Sequence, residues 1–339
     1  KAEFVENQSK NMLKTLKMRE TPDEWEKVSP VHGGYSVLVP GHYNIIANDP
    51  YGSLMSNPEV LGYDYSDNSY YFVIEKSIND ISYLEDTKFE LKRIQYEFYK
   101  SLKIDSLHGK FTQNPLSYTS VAKLNDDKNI RLKTVVNGAH YYLLGTVGNA
   151  EKAKKFFDSF EIGEFTYFKE PKIYQDTVLN YTVKTQIEPN GGQLDFAYYY
   201  PDNYNFNNNK NYFEGSNKTR VLTSESKQNI IVNHRKFSRY DYYENIDSLW
   251  NNILNNNIRE FKFQPVKKNI YTRPNGQYVM DVYFKNPEST QAIKTRYIAT
   301  ETGYHSIKAL VDSGYSGNDV YIERFFDSFT PYDSVPGMS

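Results

Sequence analysis

The sequence predicts an α+β protein of two tandem α/β/α sandwiches, each with a mostly antiparallel sheet, a long central helix and a Phe-rich closing helix. Three observations predict it. Phe157-Asp158-Ser159-Phe160 returns as Phe326-Asp327-Ser328-Phe329, and Gly138-Ala139-His140-Tyr141 lines up with Gly303-Tyr304-His305-Ser306. The offset is 169 residues for the first pair and 165 for the second, so the later copy gains four residues between them. A repeat this long, holding strands and helices, means two similar globular units rather than a solenoid. In each copy the order of patterns is strands, a long apolar stripe of helical period, a strand meander and a short aromatic helix.

Residues 1–22 read as a lead-in helix, with Phe4, Leu13, Leu16 and Met18 on a loose apolar face and Thr21-Pro22 as its stop. The first unit is expected over 23–163. Short strands at 25–31 and 35–39 flank the Gly33-Gly34 turn, and strands at 59–65 and 69–76 flank Asp67-Asn68. A helix over 83–103 follows, with Ser82 and Glu85 at capping-box spacing and Leu91, Ile94, Phe98 and Leu102 on its buried stripe. Strands at 117–124, 130–136 and 140–147 come next, turned by Asp126-Asp127-Lys128-Asn129 and Asn137-Gly138. Asn149 then caps a helix to Phe160 that buries Ala153, Phe156, Phe157 and Phe160.

Residues 164–175 read as a connection. The second unit, 176–331, repeats the scheme: Tyr181–Val183 echoes Tyr35–Val37, 193–200 and 227–235 are strands, and Ile246 to Ile258 carries the second helical stripe. Strands at 277–284, 291–299 and 303–311 lead to a last helix bearing Ile322, Phe325, Phe326 and Phe329, after which 332–339 reads as the start of a linker. Asn203 to Asn211 is a low-complexity loop.

Composition excludes more than it assigns. Forty basic and 42 acidic residues give a net charge of −2, so no bulk field recruits nucleic acid or an anionic membrane. No apolar run is long enough to span a bilayer. With no Cys, disulfides, thiolate metal sites and thiol nucleophiles are absent. The 32 Tyr and 20 Phe are compatible with a Tyr-lined binding surface, since Tyr offers a rigid apolar face with a polar tip.

Motifs for chemistry are few. The six His lack helical zinc spacing, although His140 and His305 fall at matching places in the two copies. Asp64, Asp67 and Asn68 miss the closing Glu of a calcium loop, and Gly145-Thr146-Val147-Gly148 lacks the Lys-Ser/Thr of a phosphate loop. Asp158 and Asp327, flanked by Phe, are expected to face solvent. We therefore expect no catalytic residue, no metal site and no cofactor.

The segments Gly34-Tyr35-Ser36-Val37-Leu38-Val39-Pro40-Gly41, Tyr141-Tyr142-Leu143-Leu144 and Phe156–Phe160, with Tyr181–Lys184, His305–Lys308 and Phe325–Phe329, resemble the PsbP-like fold over residues 25–330. The tandem, Tyr/Asn-rich style is similar to exported proteins of Bacteroidota of unassigned function. Four Asp-Ser/Thr-aliphatic triplets, at 105–107, 176–178, 247–249 and 333–335, are similar to the O-glycosylation sequon of that phylum. The resemblance implies an exported location, periplasmic or outer-membrane associated, and a non-catalytic binding or scaffold role toward an unknown protein or glycan of the envelope. Tyr198, Tyr199, Tyr200 and Tyr204 are the expected partner-binding surface. The alternatives are a carrier of a small apolar ligand between sheet and long helix, and an enzyme with a site between the units.

Overall fold

The computed structural model describes residues 24–45, 58–78, 85–104, 108–113, 115–124, 128–186, 197–198, 217–237, 241–261, 263–312 and 320–332. In the N-terminal half these form β1 (Trp25–Val28), β2 (Gly33–Pro40), β3 (Tyr43–Ile45), β4 (Val60–Asp64), β5 (Ser69–Ser77), α1 (Thr87–Ser101), β6 (His108–Thr112), β7 (Ser117–Lys123), β8 (Asn129–Asn137), β9 (His140–Val147), α2 (Ala150–Asp158) and β10 (Glu161–Phe165). The C-terminal half forms β11 (Lys172–Asp176), β12 (Tyr181–Thr185), β13 (Ala197–Tyr198), β14 (Asn217–Thr223), β15 (Asn229–Lys236), α3 (Ile246–Phe261), β16 (Gln264–Thr272), β17 (Tyr278–Lys285), β18 (Gln291–Thr300), β19 (Gly303–Asp312), α4 (Val320–Ser328) and β20 (Thr330–Pro331).

Two seven-stranded sheets have the orders β3-β4-β5-β9-β8-β7-β6 and β13-β14-β15-β19-β18-β17-β16; two three-stranded sheets are β1-β2-β10 and β11-β12-β20. Adding ten to every strand number of one half gives the other half. All these pairs are antiparallel.

Each large sheet is covered on both faces. In the N-terminal half, Tyr71, Val73, Tyr142 and Leu144 pack with Val37 and Val39 of the small sheet and with Phe156 and Phe157 of α2. The opposite face sets Ile74, Leu132, Tyr141 and Leu143 against Ile94 and Tyr99 of α1. The C-terminal half does the same with Tyr181, Val183, Phe325 and Phe326 on one side and Leu249, Trp250 and Ile253 on the other. Burial on both faces explains why central β9 and β18 carry long buried runs instead of strict alternation.

The repeated Phe-Asp-Ser-Phe has a common use. Ser159 Oγ accepts from Leu38 N of β2 at 3.0 Å and donates back to Phe156 O at 2.7 Å. Ser328 Oγ accepts from Lys184 N of β12 at 2.9 Å and donates to Arg324 O at 2.7 Å. The final Phe rings sit on the buried Tyr of each small sheet, Phe160 with Tyr35 at 5.6 Å and Phe329 with Tyr181 at 4.6 Å. The motif is a clasp between the closing helix and the small sheet.

The helix-rich sandwich expected from the sequence is overturned: strands dominate, in four sheets, and the four helices among the described residues are short. One covering layer of each half is a three-stranded sheet with a nine-residue helix, not a helical layer. The central helix α1 is 15 residues long and starts after Asp86, whose carboxylate accepts from Phe89 N at 2.7 Å, not after Ser82. The region 164–175 holds the end of β10 and most of β11 rather than a plain connection. Two of the missed strands, β6 and β16, have a shared cause. Side chains of β6 and β16 are almost all exposed, so these edge strands are held by backbone pairing and carry no apolar period to read. The lead-in helix 1–22, the Asn-rich loop and 333–339 lie outside the described residues.

Candidate binding surface at the sheet ends

One end of the N-terminal half is formed by the exit of β5, the β8–β9 turn and the start of α1. The C-terminal half lies on it. Its β14–β15 turn, Ser224 to Gln228, is closed by Ser224 N to Gln228 O at 2.9 Å and holds Lys227 at φ 62°. From this turn Lys227 Nζ reaches Glu75 Oε2 at 2.5 Å and Glu75 O at 3.2 Å. Ser77 Oγ donates to Ser226 O at 3.4 Å. The β17–β18 turn meets α1, with Thr87 N donating to Glu288 O at 3.3 Å and Thr290 N to Thr87 Oγ1 at 2.8 Å. Gln291 Nε2 donates to Gly138 O at 2.5 Å, and Ala139 is buried within the apolar cluster of the C-terminal half. Gly138 takes the left-handed φ of 55° that this turn requires, next to Val311 and Asp312.

The junction encloses charge. Glu75 is 4% exposed, Lys227 13%, and His140 Nδ1 lies 2.8 Å from Glu75 Oε1. Burial pushes the Glu75 carboxyl up, but hydrogen bonds and charge from His140 and Lys227 outweigh it and hold it below the ordinary glutamate range. Glu59 is placed oppositely. Burial first, and then the Glu75 charge, push its carboxyl up to about 7, against the partial relief of Lys227 and the Tyr35 hydroxyl. A cavity of about 110 Å³ next to the cluster is lined by His140, Glu164, Phe165, Gln228 and Asp312.

Among the described residues nothing covers the corresponding end of the C-terminal half. Phe237 N donates to Thr302 O at 2.8 Å as Ile78 N donates to Ala139 O at 2.5 Å, which identifies the two ends as equivalent. There a cleft of about 670 Å³ is lined by Phe237, Tyr242, Tyr243 and Tyr278, with Asp241 and Glu301 among its polar groups. Tyr242 is 85% exposed and Tyr278 46%. The floor is the start of α3, where Asn245 Oδ1 accepts from Ser248 N at 2.9 Å. Rigid rings with polar tips around an open concavity, ringed by amides and carboxylates, suit the capture of a polar or aromatic partner surface.

The residues named from sequence fall elsewhere. Tyr198 is in β13, opposite Thr219; Tyr199, Tyr200 and Tyr204 lie outside the described residues. His140 and His305 are not at matching positions. The turn-closing pairs are Asn137↔His140 and Thr300↔Gly303, so Gly303 has the place of His140 and His305 that of Tyr142. Aligning the two His shifts the strands by two residues, which preserves the face and hides the error. His305 instead stacks on His234 at 4.2 Å with its Nε2 at 2.6 Å from Leu179 O, and burial lowers it to about 4. Asp64 and Asp67 are both held by Lys152, at 2.6 and 2.9 Å. Asp158 pairs with Lys154 on the exposed helix face. Of the triplets, Thr177 is exposed, while the Ser248 hydroxyl donates to Asn245 O at 2.7 Å in the start of α3. Among the described residues no helix is long and apolar enough to cross a membrane.

No family model matches the chain, and no curated protein matches it. Among solved structures, the cyanobacterial PsbP (CyanoP) of Synechocystis is similar at 13% identity and a TM-score of 0.30, over 41% of this chain and 92% of that one. The immunity protein TplEi of a type VI secretion system from Pseudomonas aeruginosa, complexed with a peptide, is similar at 8% identity and a TM-score of 0.20, over 92% of this chain and 99% of that one. Likenesses this weak assign no family: the chain is described by its own duplicated β-rich topology.

Proposed function

We propose that this chain is a non-catalytic binding or scaffold protein of two like units, 23–163 and 176–331, exported to a bacterial envelope, whose binding face is the cleft at the open end of the C-terminal unit. The observation that carries the reading is the contrast between two equivalent ends. One is covered and buries a charge cluster; the other presents exposed Tyr242 and Tyr278 around a cleft of about 670 Å³. Exposed aromatics grouped in a concavity with a polar rim are the usual composition of an interaction site. A photo-reactive residue placed at Tyr242, against one at exposed Tyr96 of α1, tests this in the native host. Cross-linked partners confined to position 242 support it; equal yields at both positions contradict it.

A second reading, catalysis at the junction, is favoured by Glu59, whose carboxyl is pushed up to about 7 beside Glu75 and Lys227. It requires substrate to reach Glu59. Turnover of any substrate lost in Glu59→Gln and retained in a Tyr242→Ala variant decides for it.

A further inference from the structure

The two halves pack head to tail. The turn end of the C-terminal half, with the β14–β15 and β17–β18 turns, covers the receiving end of the N-terminal half. Because the strand orders are the same, each half owns both kinds of end. Among the described residues one of each is used inside the chain, and one of each is left at the extremities.

The unused receiving end is the cleft. Its walls are the C-terminal counterparts of the groups that are covered in the N-terminal half: Phe237 for Ile78, Thr300 and Glu301 for Asn137 and Gly138, and the start of α3 for the start of α1. The unused turn end is the β4–β5 turn of the N-terminal half. Asn68 holds a left-handed φ of 54° there, as Lys227 does at 62° in the turn that docks. Around it Tyr63 contacts Tyr65 at 4.4 Å and Tyr70 at 4.6 Å, and His42 contacts Tyr65 at 4.8 Å. Tyr65 is 57% exposed and Tyr70 43%. Lys128 Nζ lies 5.7 Å from the Tyr70 ring centroid and donates to Asn68 O at 3.0 Å.

We propose that the cleft of one molecule receives the β4–β5 turn end of a second copy of this chain, so that the internal junction is repeated between chains. This rests on the binding role of the cleft and names its occupant. The contact continues an interface that the fold already builds. Both surfaces are aromatic: the tip carries Lys128 beside Tyr70, with Asp64 and Asp67 neutralised by Lys152, and the cleft carries Glu301 and an Asp241 paired with Arg235 at 3.7 Å. The buried ion pair is not repeated, since Asn68 lies near the place of Lys227 and His234 has that of Glu75; aromatic packing replaces it. Such a contact joins unlike surfaces, so it propagates into a ring or an open chain rather than closing as a two-fold dimer.

Sedimentation of the full chain over a concentration series tests this, with a cleft variant (Tyr242→Ala with Glu301→Lys) and a turn variant (Tyr65→Ala with Tyr70→Ala). Wild type is expected to grow beyond dimer mass with concentration. Each variant alone is expected to stay monomeric, and the two mixed to double in mass and stop there, because one sound cleft meets one sound turn. Formation of that dimer also shows that both variants fold. Wild type that remains monomeric throughout, or a dimer that the cleft variant leaves intact, overturns the proposal. A monomer that still cross-links to another protein through position 242 overturns self-assembly alone; loss of both overturns the binding reading as well.

Discussion

Glu59→Gln should change how stability depends on pH, and the direction follows from the junction. The wild-type carboxyl is raised from 4.5 to about 7, by burial first and then by the Glu75 charge. Between those values the folded protein holds a proton that the unfolded chain releases. Stability is therefore full below about pH 4.5 and falls as pH rises through 7. At ~1.36 kcal/mol for each pH unit the displacement corresponds to about 3 kcal/mol, and partial solvent access to the side chain reduces this to about 2 kcal/mol. Gln cannot ionise. The variant should match wild type near pH 4.5 and exceed it at pH 8 by about 2 kcal/mol, or roughly 4–8 °C in the unfolding midpoint of a unit this size. Thermal unfolding followed by circular dichroism at both pH values measures it. Parallel pH profiles for the two proteins would refute the assignment of Glu59 as a buried carboxyl under the influence of Glu75.

Two further outcomes follow from the same ionic interior. His305, lowered from 6.5 to about 4 by burial, gives stability that is complete above pH 6.5 and is lost as pH falls through 4, worth on the order of 3 kcal/mol. That slope opposes the one from Glu59 over pH 4.5–6.5, so wild type should be nearly flat there, and His305→Asn should expose the decline due to Glu59; an unchanged profile speaks against a buried neutral imidazole. Lys227→Met leaves Glu75 buried with a partner removed and should cost about 3 kcal/mol, while the double variant with Glu75→Gln should recover most of it. Additive losses in denaturant titration would show that the two side chains do not interact.

What could be read from sequence was local and periodic. The start of α2 at Asn149, the Phe stripe of α2 and α4 and the turn at Asp67-Asn68 are set by short-range chemistry, and the motif shared by the closing helices marked the duplication. Long-range features gave no such signal. Lys227 and Glu75 are 152 positions apart and belong to different halves, so neither spacing nor composition connects them. The cleft is assembled from a strand exit, two turns and a helix start whose residues look like ordinary surface one at a time. Edge strand β16 escaped notice because Lys267 and Lys268 stand in a strand with almost no buried side. The Tyr-rich stretch at 198–204 drew attention by density, whereas the cleft combines Tyr242 and Tyr243 from the segment before α3 with Tyr278 from the start of β17.

Hydrogen exchange at the two equivalent hairpin ends tests the central claim most directly, because it compares a covered end with an open one in one molecule. Peptides spanning 136–142 should exchange slowly at every concentration, and peptides spanning 299–305 should exchange faster in dilute protein and slow as the protein is concentrated. Equal rates at both ends in dilute solution, or a 299–305 rate indifferent to concentration, would contradict the account.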